Sequence, residues 1–337
     1  MTDDTPDVVV LRKNTEGLST ADYADRIRDR LPDHDVAHAK TPHQERTLIE
    51  RAPVATGVTL SKTHLDHAED LRLFVVASSG CNHIPVKRMT DSGIVLANAA
   101  GIHAPGIAEQ ALGYCLSFAR RIHEGWERKR SKEWRHYKAG EFTGSTVTVV
   151  GLGAIGTEFV DRLDGMSVRT IGVRYTPEKG GPTDEVIGFE KRDVHEALSR
   201  TNYLVLSTPL TDTTRGLIGK AELDTLPPNA YVVNVCRGRV LDTDALLAAV
   251  QKEDIAGAAI DVIDPEPLPP DHPLWRMGNV VITPHMGGHT PKHWERLADI
   301  LATNVERLEA GEVDGFRNQV NDSADLAPGV PSKADDD

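Results

Sequence analysis

Short apolar runs alternate with amphipathic segments at the start of the chain. The β-branched runs at 8–11, 54–56, 73–76 and 94–97 are typical of buried strands, and apolar residues recur at helical spacing over 22–31 and 65–71. This alternation predicts a parallel sheet whose strands are joined by crossover helices.

A second alternating series begins at Thr146. Its predicted strands lie at 146–150, 168–173, 203–207, 231–235, 257–262 and 279–283, with helices at 154–164 and 243–251. A long helix is predicted over 104–129 before this series, and another over 291–310 after it. The second long helix has an apolar face and is expected to pack on the first domain; that face consists of Trp294, Leu297, Leu301 and Leu308.

The composition fits a folded protein of two domains. The 337 residues are 39% hydrophobic, and no apolar run approaches the ~20 residues that span a bilayer. The acidic N-terminus has no signal-peptide hydrophobic region, so a cytoplasmic location is expected. Cys81, Cys115 and Cys236 are scattered, which predicts neither a disulfide framework nor a metal site.

The formal charge of -13 disfavours a general nucleic-acid or anionic-membrane binder, because both depend on clustered positive charge. An anionic ligand would therefore be captured locally. The acidic composition fits a salt-rich cytoplasm as well as an ordinary acidic enzyme, and both interpretations remain open.

A glycine motif follows the first strand of the second series. An apolar run at 147–150 precedes it, and helical spacing of apolar residues follows it, so the context is a strand, a turn and a helix. The glycines would allow a tight turn, approach of a pyrophosphate and close helix–strand packing, with the phosphates at the helix N-terminus. The predicted dinucleotide contacts here are Gly151, Gly153, Ala154, Ile155 and Gly156.

The next strand ends in Arg174, Tyr175 and Thr176 rather than in a carboxylate. A site that prefers NAD(H) places Asp or Glu at this point to bind the ribose hydroxyls. Arg174 could instead bind a 2′-phosphate, with hydrogen bonds from its two neighbours. We therefore expect NADP(H) to be preferred and NAD(H) to be possible, since Glu178 could substitute for the missing acid.

Three polar residues follow apolar runs later in the chain: Arg237, Glu266 and His285. In this order after the glycine motif, and with several flanking segments, they resemble the D-isomer-specific 2-hydroxyacid dehydrogenase family over roughly residues 50–315. The flanking segments are those at 98–101, 108–109, 207–210, 234–239, 261–267 and 283–288, with Trp134 and Gly144.

The resemblance implies a role for each of the three residues, and each role agrees with the chemistry of its side chain. Arg237 would bind the substrate carboxylate, because its guanidinium group matches a carboxylate bidentately. His285 would donate a proton to the substrate carbonyl as hydride arrives, and Glu266 would fix the tautomer of His285 and favour its charged form.

The resemblance also implies further substrate and cofactor contacts. The backbone amides of Ser79 and Gly80 would bind the substrate carboxylate, although Ser78, Asn82 and His83 depart from the family's commoner glycine-rich loop. Met286 and the residues near Thr56 and Gly57 would shape the side-chain pocket. Positions expected to meet the nicotinamide or its ribose are Thr208, Pro209, Cys236, Asp261, Gly287 and Gly288.

The predicted fold is α/β, with two doubly wound parallel-sheet domains and a cleft between them. A flavodoxin-like substrate domain would comprise 1–99 plus 291–320, and a Rossmann cofactor domain with its linking helix would comprise 100–290. Residues 321–337 are predicted to be a disordered acidic tail. The resemblance also implies a homodimer with the helix over 104–129 at its interface, while the apolar positions of this helix could equally serve core packing.

The leading functional hypothesis is an NADP(H)-linked 2-oxoacid reductase that forms D-2-hydroxyacids, with a small-molecule substrate and neither nucleic acid nor membrane as partner. A formate dehydrogenase is disfavoured because Glu266 is a carboxylate, and a phosphoglycerate dehydrogenase with a regulatory domain is disfavoured by the short C-terminal remainder. The non-enzyme alternative is a nucleotide-sensing, corepressor-like interaction protein. The side chain of the preferred 2-oxoacid remains open.

Overall fold

The computed structural model describes residues 5–15, 17–81, 83–312 and 314–321. The chain divides into two compact units. Unit 1 comprises Met1–Ile102 and Thr290–Asp337, and unit 2 comprises His103–His289. The assignment of a substrate role to one unit and a cofactor role to the other stays a prediction.

Unit 1 contains a five-stranded sheet in which all neighbouring strands are parallel. The strand order is β2-β1-β3-β4-β5, which is the flavodoxin-like doubly wound arrangement that was predicted. The strands are β1 (Val8–Val10), β2 (Val36–His38), β3 (Val54–Gly57), β4 (Leu73–Val76) and β5 (Val95–Ala97). The helices between them are α1 (Thr20–Arg30), α2 (Pro42–Ile49), α3 (Lys62–Leu65) and α4 (Val86–Asp91).

Unit 2 contains a seven-stranded parallel sheet of Rossmann type. Its strands are β6 (Thr146–Val150), β7 (Arg169–Val173), β8 (Glu185–Ile187), β9 (Tyr203–Leu206), β10 (Tyr231–Asn234), β11 (Gly257–Ile260) and β12 (Val280–Ile282). The order β12-β11-β10-β9-β6-β7-β8 reverses direction at β6, so the carboxyl end of this strand is the switch point at which such sheets bind ligands.

Six α-helices are described in unit 2: α5 (Ala104–Ala119), α6 (Ile122–Arg130), α7 (Ala154–Asp161), α8 (Lys191–Leu198), α9 (Lys220–Thr225) and α10 (Thr243–Gln251). Short 3-10 turns lie at Pro177–Lys179, Gly238–Val240 and Pro273–Arg276. Among the described residues of both units, no helix combines the length and the hydrophobicity needed to cross a membrane.

The last helix, α11 (His293–Glu309), belongs to unit 1 and packs against α1. The rings of Tyr23 and Trp294 stack with their centroids 4.5 Å apart. The apolar face predicted for this helix is buried, and full burial of each large apolar side chain contributes ~1.5–3 kcal/mol to stability. The expectation that this helix packs on the first domain is therefore confirmed.

The helix predicted over 104–129 is two helices. α5 ends at Ala119, and Arg121 adopts a left-handed conformation with φ 51° before α6 begins. The buried apolar face also ends at this point, since α6 is rich in charge and has no buried residue. The carbonyl of Ala119 accepts a hydrogen bond from the backbone N–H of Gly140 at 2.8 Å, which caps the end of α5.

The helix predicted over 65–71 is also wrong, because α3 ends where that prediction begins. Ser61 caps α3, and the side chain of His64 returns a bond to the backbone N–H of Ser61, so the local capping chemistry favours the earlier turn. Strands β2 and β8 and helices α2, α4, α8 and α9 were not predicted. Each of the two strands includes a polar residue among its three, His38 or Glu185, so neither forms an uninterrupted apolar run.

The predicted disordered tail lies outside the described residues except for Asn321. That residue is buried, so the prediction is wrong there. Its side-chain oxygen accepts a bond from the backbone N–H of Leu96, and its amide nitrogen donates to the carbonyl of Ile94, both at 2.8 Å. An asparagine amide can pair with both kinds of backbone group at the edge of the sheet.

Candidate active site

Two glycines of the motif, Gly151 and Gly156, occupy positions that have no room for a side chain. Gly151 has φ 101°, and a Cβ atom there would come within 2.7 Å of the backbone of Thr208. A Cβ atom on Gly156 would lie 2.0 Å from the carbonyl oxygen of Gly151. Gly153, by contrast, is exposed, and no neighbouring atom lies within 4 Å of where its Cβ would be. The turn thus has open space at its middle glycine.

Helix α7 begins directly at this open space. Gly153 is its N-cap and offers no side-chain bond, so the first backbone N–H groups of the helix are left for a ligand. Ala154 is exposed and Ile155 is half-buried. Free N–H groups and the positive end of the helix dipole suit a phosphate, and the residues here therefore fit a dinucleotide pyrophosphate.

Arg174 follows β7 and is half-buried. One of its terminal nitrogens, Nη1, donates to the carbonyl of Gly180 at 2.5 Å, which holds the side chain over the loop that follows the strand. The guanidinium group has further N–H donors for a phosphate. Tyr175 beside it is 80% exposed, Thr176 is half-buried, and Glu178 is exposed within the 3-10 turn.

Arg237 is exposed just beyond β10, in a loop whose backbone is fixed by Asn234. The buried side chain of Asn234 accepts a bond from the backbone N–H of Cys236 at 3.2 Å and donates to the carbonyl of Val262 at 3.3 Å. Nη1 of Arg237 donates to the carbonyl of Cys236 at 2.7 Å, which leaves the rest of the guanidinium fork for a ligand. Burial raises the pKa of the Cys236 thiol to about 11, so this group is uncharged at neutral pH.

Glu266 and His285 form a hydrogen-bonded pair. Oε1 of Glu266 lies 2.6 Å from Nδ1 of His285, and both side chains are partly exposed. A carboxylate only accepts hydrogen bonds, so Nδ1 carries a proton and Nε2 is the nitrogen that can exchange a proton with a substrate. His285 has φ 51°, a left-handed conformation that costs ~1–3 kcal/mol in a residue other than glycine.

Asp261, at the end of β11, holds the loop that contains His285. Its carboxylate accepts bonds from the backbone N–H groups of Met286 at 3.0 Å and Gly287 at 2.9 Å. Its carbonyl accepts a bond from the N–H of His285 at 2.8 Å. A hydrogen bond to a charged group contributes ~1.5–3 kcal/mol, so these bonds offset the backbone strain at His285.

The comparison with known proteins agrees with this arrangement. The sequence pattern of the D-isomer specific 2-hydroxyacid dehydrogenase, NAD binding domain, matches residues 112–287, just over half of the chain. The chain belongs to the D-isomer-specific 2-hydroxyacid dehydrogenase family.

Two relatives carry different names. The chain is 31% identical over 314 residues to the D-3-phosphoglycerate dehydrogenase of Methanocaldococcus jannaschii, with 91% of this chain and 58% of that protein covered. It is 34% identical over 256 residues to the glyoxylate reductase of Thermofilum pendens, with 74% and 75% covered. The chain thus spans little more than half of the first relative's length.

Solved structures share the fold of this 2-hydroxyacid dehydrogenase family member. The TT0316 protein from Thermus thermophilus is 27% identical with a TM-score of 0.69, and the match covers 93% of this chain and all of that one. The D-isomer specific 2-hydroxyacid dehydrogenase from Lactobacillus delbrueckii ssp. bulgaricus, in its NAD complexed form, has a TM-score of 0.77 at 22% identity and covers 93% and 99%. The enzyme from Xanthobacter autotrophicus Py2, in complex with NADPH and MES, has a TM-score of 0.74 at 24% identity and covers 94% and 98%.

In unit 1 of this dehydrogenase family member, the loop after β4 contains the predicted substrate-binding residues. Within the described residues, the backbone N–H groups of Ser79 and Gly80 have no hydrogen-bond acceptor. The amide of Asn98 donates to the carbonyl of Ser79 at 2.9 Å, and the hydroxyl of Ser78 donates to the carbonyl of Gly80 at 2.8 Å. These bonds fix the carbonyls and leave two adjacent N–H donors for an anion. Asn82 lies outside the described residues.

The expectation that residues near Thr56 and Gly57 shape the substrate pocket stays a prediction, although the side chain of Thr56 itself does not face such a pocket. Thr56 is fully buried, and its hydroxyl bonds to Tyr23 Oη at 3.0 Å and to the carbonyl of Val75 at 2.8 Å, so its side chain belongs to the core of unit 1. Gly57 packs against Leu11, where an added Cβ would approach to 2.8 Å. Met286 is 44% exposed beside His285.

Three residues near His285 were missed as functional candidates: Gln110, Tyr114 and Thr283. Tyr114 lies within the helix predicted over 104–129, and Thr283 lies in the predicted strand 279–283 and in the segment 283–288 of the resemblance, but no role was predicted for either side chain. A glutamine on the otherwise apolar stripe of α5 was the available signal, because a half-buried polar side chain needs a partner.

Proposed function

We propose that the protein is an oxidoreductase that reduces 2-oxoacids to D-2-hydroxyacids, with NADP(H) as the preferred cofactor. The observation that carries this proposal is the 2.6 Å pair of His285 and Glu266. Arg237, Glu266 and His285 follow β10, β11 and β12, which are three consecutive strands of the sheet. A proton donor and a carboxylate-binding group at the same edge of one sheet are what this reduction needs. The names of the two relatives support the class, and the difference between them leaves the substrate's side chain undecided.

Each residue would have one task. Arg237 would bind the carboxylate of the 2-oxoacid and polarise the neighbouring carbonyl, and the N–H groups of Ser79 and Gly80 would donate to the same class of anion. His285 would pass the proton on Nε2 to the carbonyl oxygen, while Glu266 would hold Nδ1 and stabilise the imidazolium. Bound NADPH would supply the hydride, which goes to the carbonyl carbon.

The cofactor contacts are part of the proposal. The glycine turn and the start of α7 would hold the pyrophosphate, and Thr208 and Pro209 would line the adjoining ribose. Cys236, Gly287 and Gly288 would border the nicotinamide. One oxygen of Asp261, Oδ2, accepts from Gly287 and could also accept from the carboxamide. Arg174, with Tyr175 and Thr176, would bind the 2′-phosphate.

Turnover measured with NADPH and NADH in parallel tests reaction and cofactor together. The substrates would be glyoxylate, hydroxypyruvate, pyruvate and a longer 2-oxoacid, with D-3-phosphoglycerate in the oxidative direction, at low and high salt. We expect NADPH oxidation with at least one 2-oxoacid. Arg174→Ser should lower kcat/KM for NADPH by about 10- to 100-fold, the value of one charge-assisted hydrogen bond, and leave that for NADH unchanged.

Arg192→Ser is the matched control, because Arg192 is an exposed arginine of unit 2 on α8. Equal losses with both cofactors would refute the role of Arg174. Tight cofactor binding by calorimetry without turnover of any substrate would refute the reductase and support the corepressor-like alternative.

We also propose that the protein acts in the cytoplasm as a homodimer that uses the segment 104–129. Ile122 and Trp126 on α6 are 45% and 61% exposed, and large apolar side chains at a surface favour an interface. Sedimentation velocity would refute the dimer if the protein remained a monomer across the working concentration range.

A further inference from the structure

One face of α5 lies against the loop that contains His285. Nδ1 of His103, just before the helix, lies 2.6 Å from the carbonyl of Gly288. One turn on, a Cβ atom at Gly106 would come within 3.3 Å of the carbonyl of Gly287. Gln110 follows at the next turn on the same face, and its side-chain amide carbon lies 3.6 Å from where a Cβ atom at Gly287 would be. Helix α5 and the loop that contains His285 are therefore in close contact over two turns of the helix.

Gln110 joins this face to the carboxylate of Asp261. Its Nε2 lies 2.9 Å from Oδ1 of Asp261, 3.0 Å from Oγ1 of Thr283 and 2.5 Å from the hydroxyl oxygen of Tyr114. Oγ1 of Thr283 also lies 2.5 Å from Oδ1 of Asp261 and 2.5 Å from the Tyr114 oxygen. Four polar side chains therefore share one compact network.

The protons in this network can be assigned by counting donors. The carboxylate of Asp261 only accepts, so the single hydroxyl proton of Thr283 must go to it. The short contact between Tyr114 and Thr283 then requires Tyr114 to donate, and burial raises the pKa of Tyr114, which keeps that proton in place. Gln110 supplies one N–H to Asp261, and its other N–H is shared by the two hydroxyl oxygens.

The carboxylate that this network holds is the one that fixes the catalytic loop. Oδ1 accepts from Met286 and Oδ2 from Gly287, the two residues that directly follow His285. A rotation of the Asp261 carboxylate would break both bonds and release the left-handed backbone of His285. Gln110 and Thr283 oppose that rotation through their own bonds to Oδ1.

We propose that Gln110 is a positioning residue, which orients the Asp261 carboxylate and through it the imidazole of His285. The inference rests on the proposed reductase function for its kinetic consequences. It makes α5 a support for the proton donor, in addition to its contribution to the hydrophobic core. The competing explanation is that these bonds only stabilise the packing of α5 on the sheet.

Two substitutions of Gln110 separate these explanations. Gln110→Leu keeps the size and removes the donors, and a misplacement of the proton donor on the scale of 1 Å should lower kcat by about 10- to 100-fold with KM for the 2-oxoacid unchanged. Gln110→Glu places a second carboxyl group against Asp261 and Tyr114, the titratable groups that contact position 110. When protonated this group can donate to Asp261, and when ionised it repels it.

The ratio of variant kcat to wild-type kcat should therefore rise as pH falls for Gln110→Glu and stay flat for Gln110→Leu. Gln251→Leu, at an exposed glutamine at the end of α10, is the matched control and should behave as wild type. Thermal unfolding and circular dichroism of each variant check the fold. A lower Tm with wild-type kcat in both Gln110 variants would overturn the proposal.

A measurement that does not depend on turnover can test the positioning role of Gln110 separately from the proposed reductase function. The ring-nitrogen NMR signals of His285, assigned with a His285→Asn variant, can be recorded on the protein alone. We expect these signals to move in Gln110→Leu and to stay in place in Gln251→Leu. If wild type reduced no 2-oxoacid, the proposed function would fail, while unchanged His285 signals would refute the positioning role of Gln110 independently.

Discussion

The carboxyl edges of the two sheets present different chemistry. At the edge of the seven-stranded sheet in unit 2, polar side chains bond to one another and to the backbone, as in the pair of Glu266 and His285 and in the network around Asp261. At the edge of the five-stranded sheet in unit 1, Thr56 is committed to the core, and the loop after β4 offers the backbone N–H groups of Ser79 and Gly80. Under the proposed function, proton transfer would depend on the pair in unit 2, and the loop after β4 in unit 1 would contribute anion binding.

The largest expected effect tests whether His285 in unit 2 is the proton donor. His285→Asn removes the imidazole, and asparagine tolerates the left-handed backbone at this position, so the fold should persist. General acid catalysis contributes about 10²- to 10⁴-fold, and kcat should fall by that factor. Steady-state kinetics with the best 2-oxoacid measures it, and cofactor affinity by fluorescence should not change.

His289→Asn is the control for this variant, because His289 is an exposed histidine four residues further along the same segment. It should retain wild-type kcat. If His285→Asn retained more than a tenth of the wild-type kcat, the proton would come from elsewhere, and the assignment of the chemistry to His285 in unit 2 would be lost.

The two units also differ in how well their helices and strands could be predicted from the sequence. In unit 2, strand β6 and helix α10 match their predicted bounds, because long β-branched runs and a clear helical period leave little ambiguity. In unit 1, β2 has three residues, and α2 is marked mainly by Thr41 as N-cap with Pro42 after it. Short elements depend on tertiary packing that local pattern does not encode.

At the site, residue type and order were enough to predict that Glu266 and His285 act as a pair, and their 2.6 Å contact agrees with that prediction. A glutamine among the apolar residues of α5 indicates that a polar partner is needed, but the identity of that partner could not be predicted, because it depends on how α5 packs against residues more than 150 positions later in the chain. The left-handed φ of His285 was equally invisible, since histidine carries no glycine-like signal for it.

An intermediate effect tests the role of unit 1. Gly80→Pro removes one N–H donor of the loop after β4, while Gly80→Ala keeps it, and no neighbouring atom lies within 4 Å of an added Cβ. If that N–H binds the substrate carboxylate, KM for the 2-oxoacid should rise by about tenfold or more in Gly80→Pro, as expected for one hydrogen bond to a charged group. Gly80→Ala should match wild type.

Separate measurement of kcat and KM decides the outcome for this pair. A higher KM with little change in kcat in Gly80→Pro would support the difference between the units, because it would show that the loop of unit 1 binds the substrate carboxylate in the ground state. Identical KM values in the proline and alanine variants would break it, and Arg237 would then be the residue left to bind the carboxylate.

The smallest expected effect concerns stability in acid. In unit 1, burial lowers the pKa of His64 despite the opposing charge of Glu45, and burial also lowers the pKa of His38. A histidine whose pKa is depressed in the folded state stabilises the protein above its ordinary pKa of 6.5, and this contribution is lost as pH falls below that value. The unfolded chain binds the proton more readily in that range.

His64→Gln should therefore reduce the fall in Tm between neutral pH and pH ~5.5 by ~2 °C, a shift typical of a change below 1 kcal/mol in a domain of this size. Glutamine can still return a bond to the N-cap Ser61, so the cap of α3 is kept. His43→Gln, at an exposed position on α2, is the control.

Hydrogen exchange measured in each unit should accompany the melting curves, because the pKa of His123 in unit 2 is also lowered. Faster acid-induced exchange in unit 1 would locate the loss there, and equal acceleration in both units would remove the acid response as a difference between them.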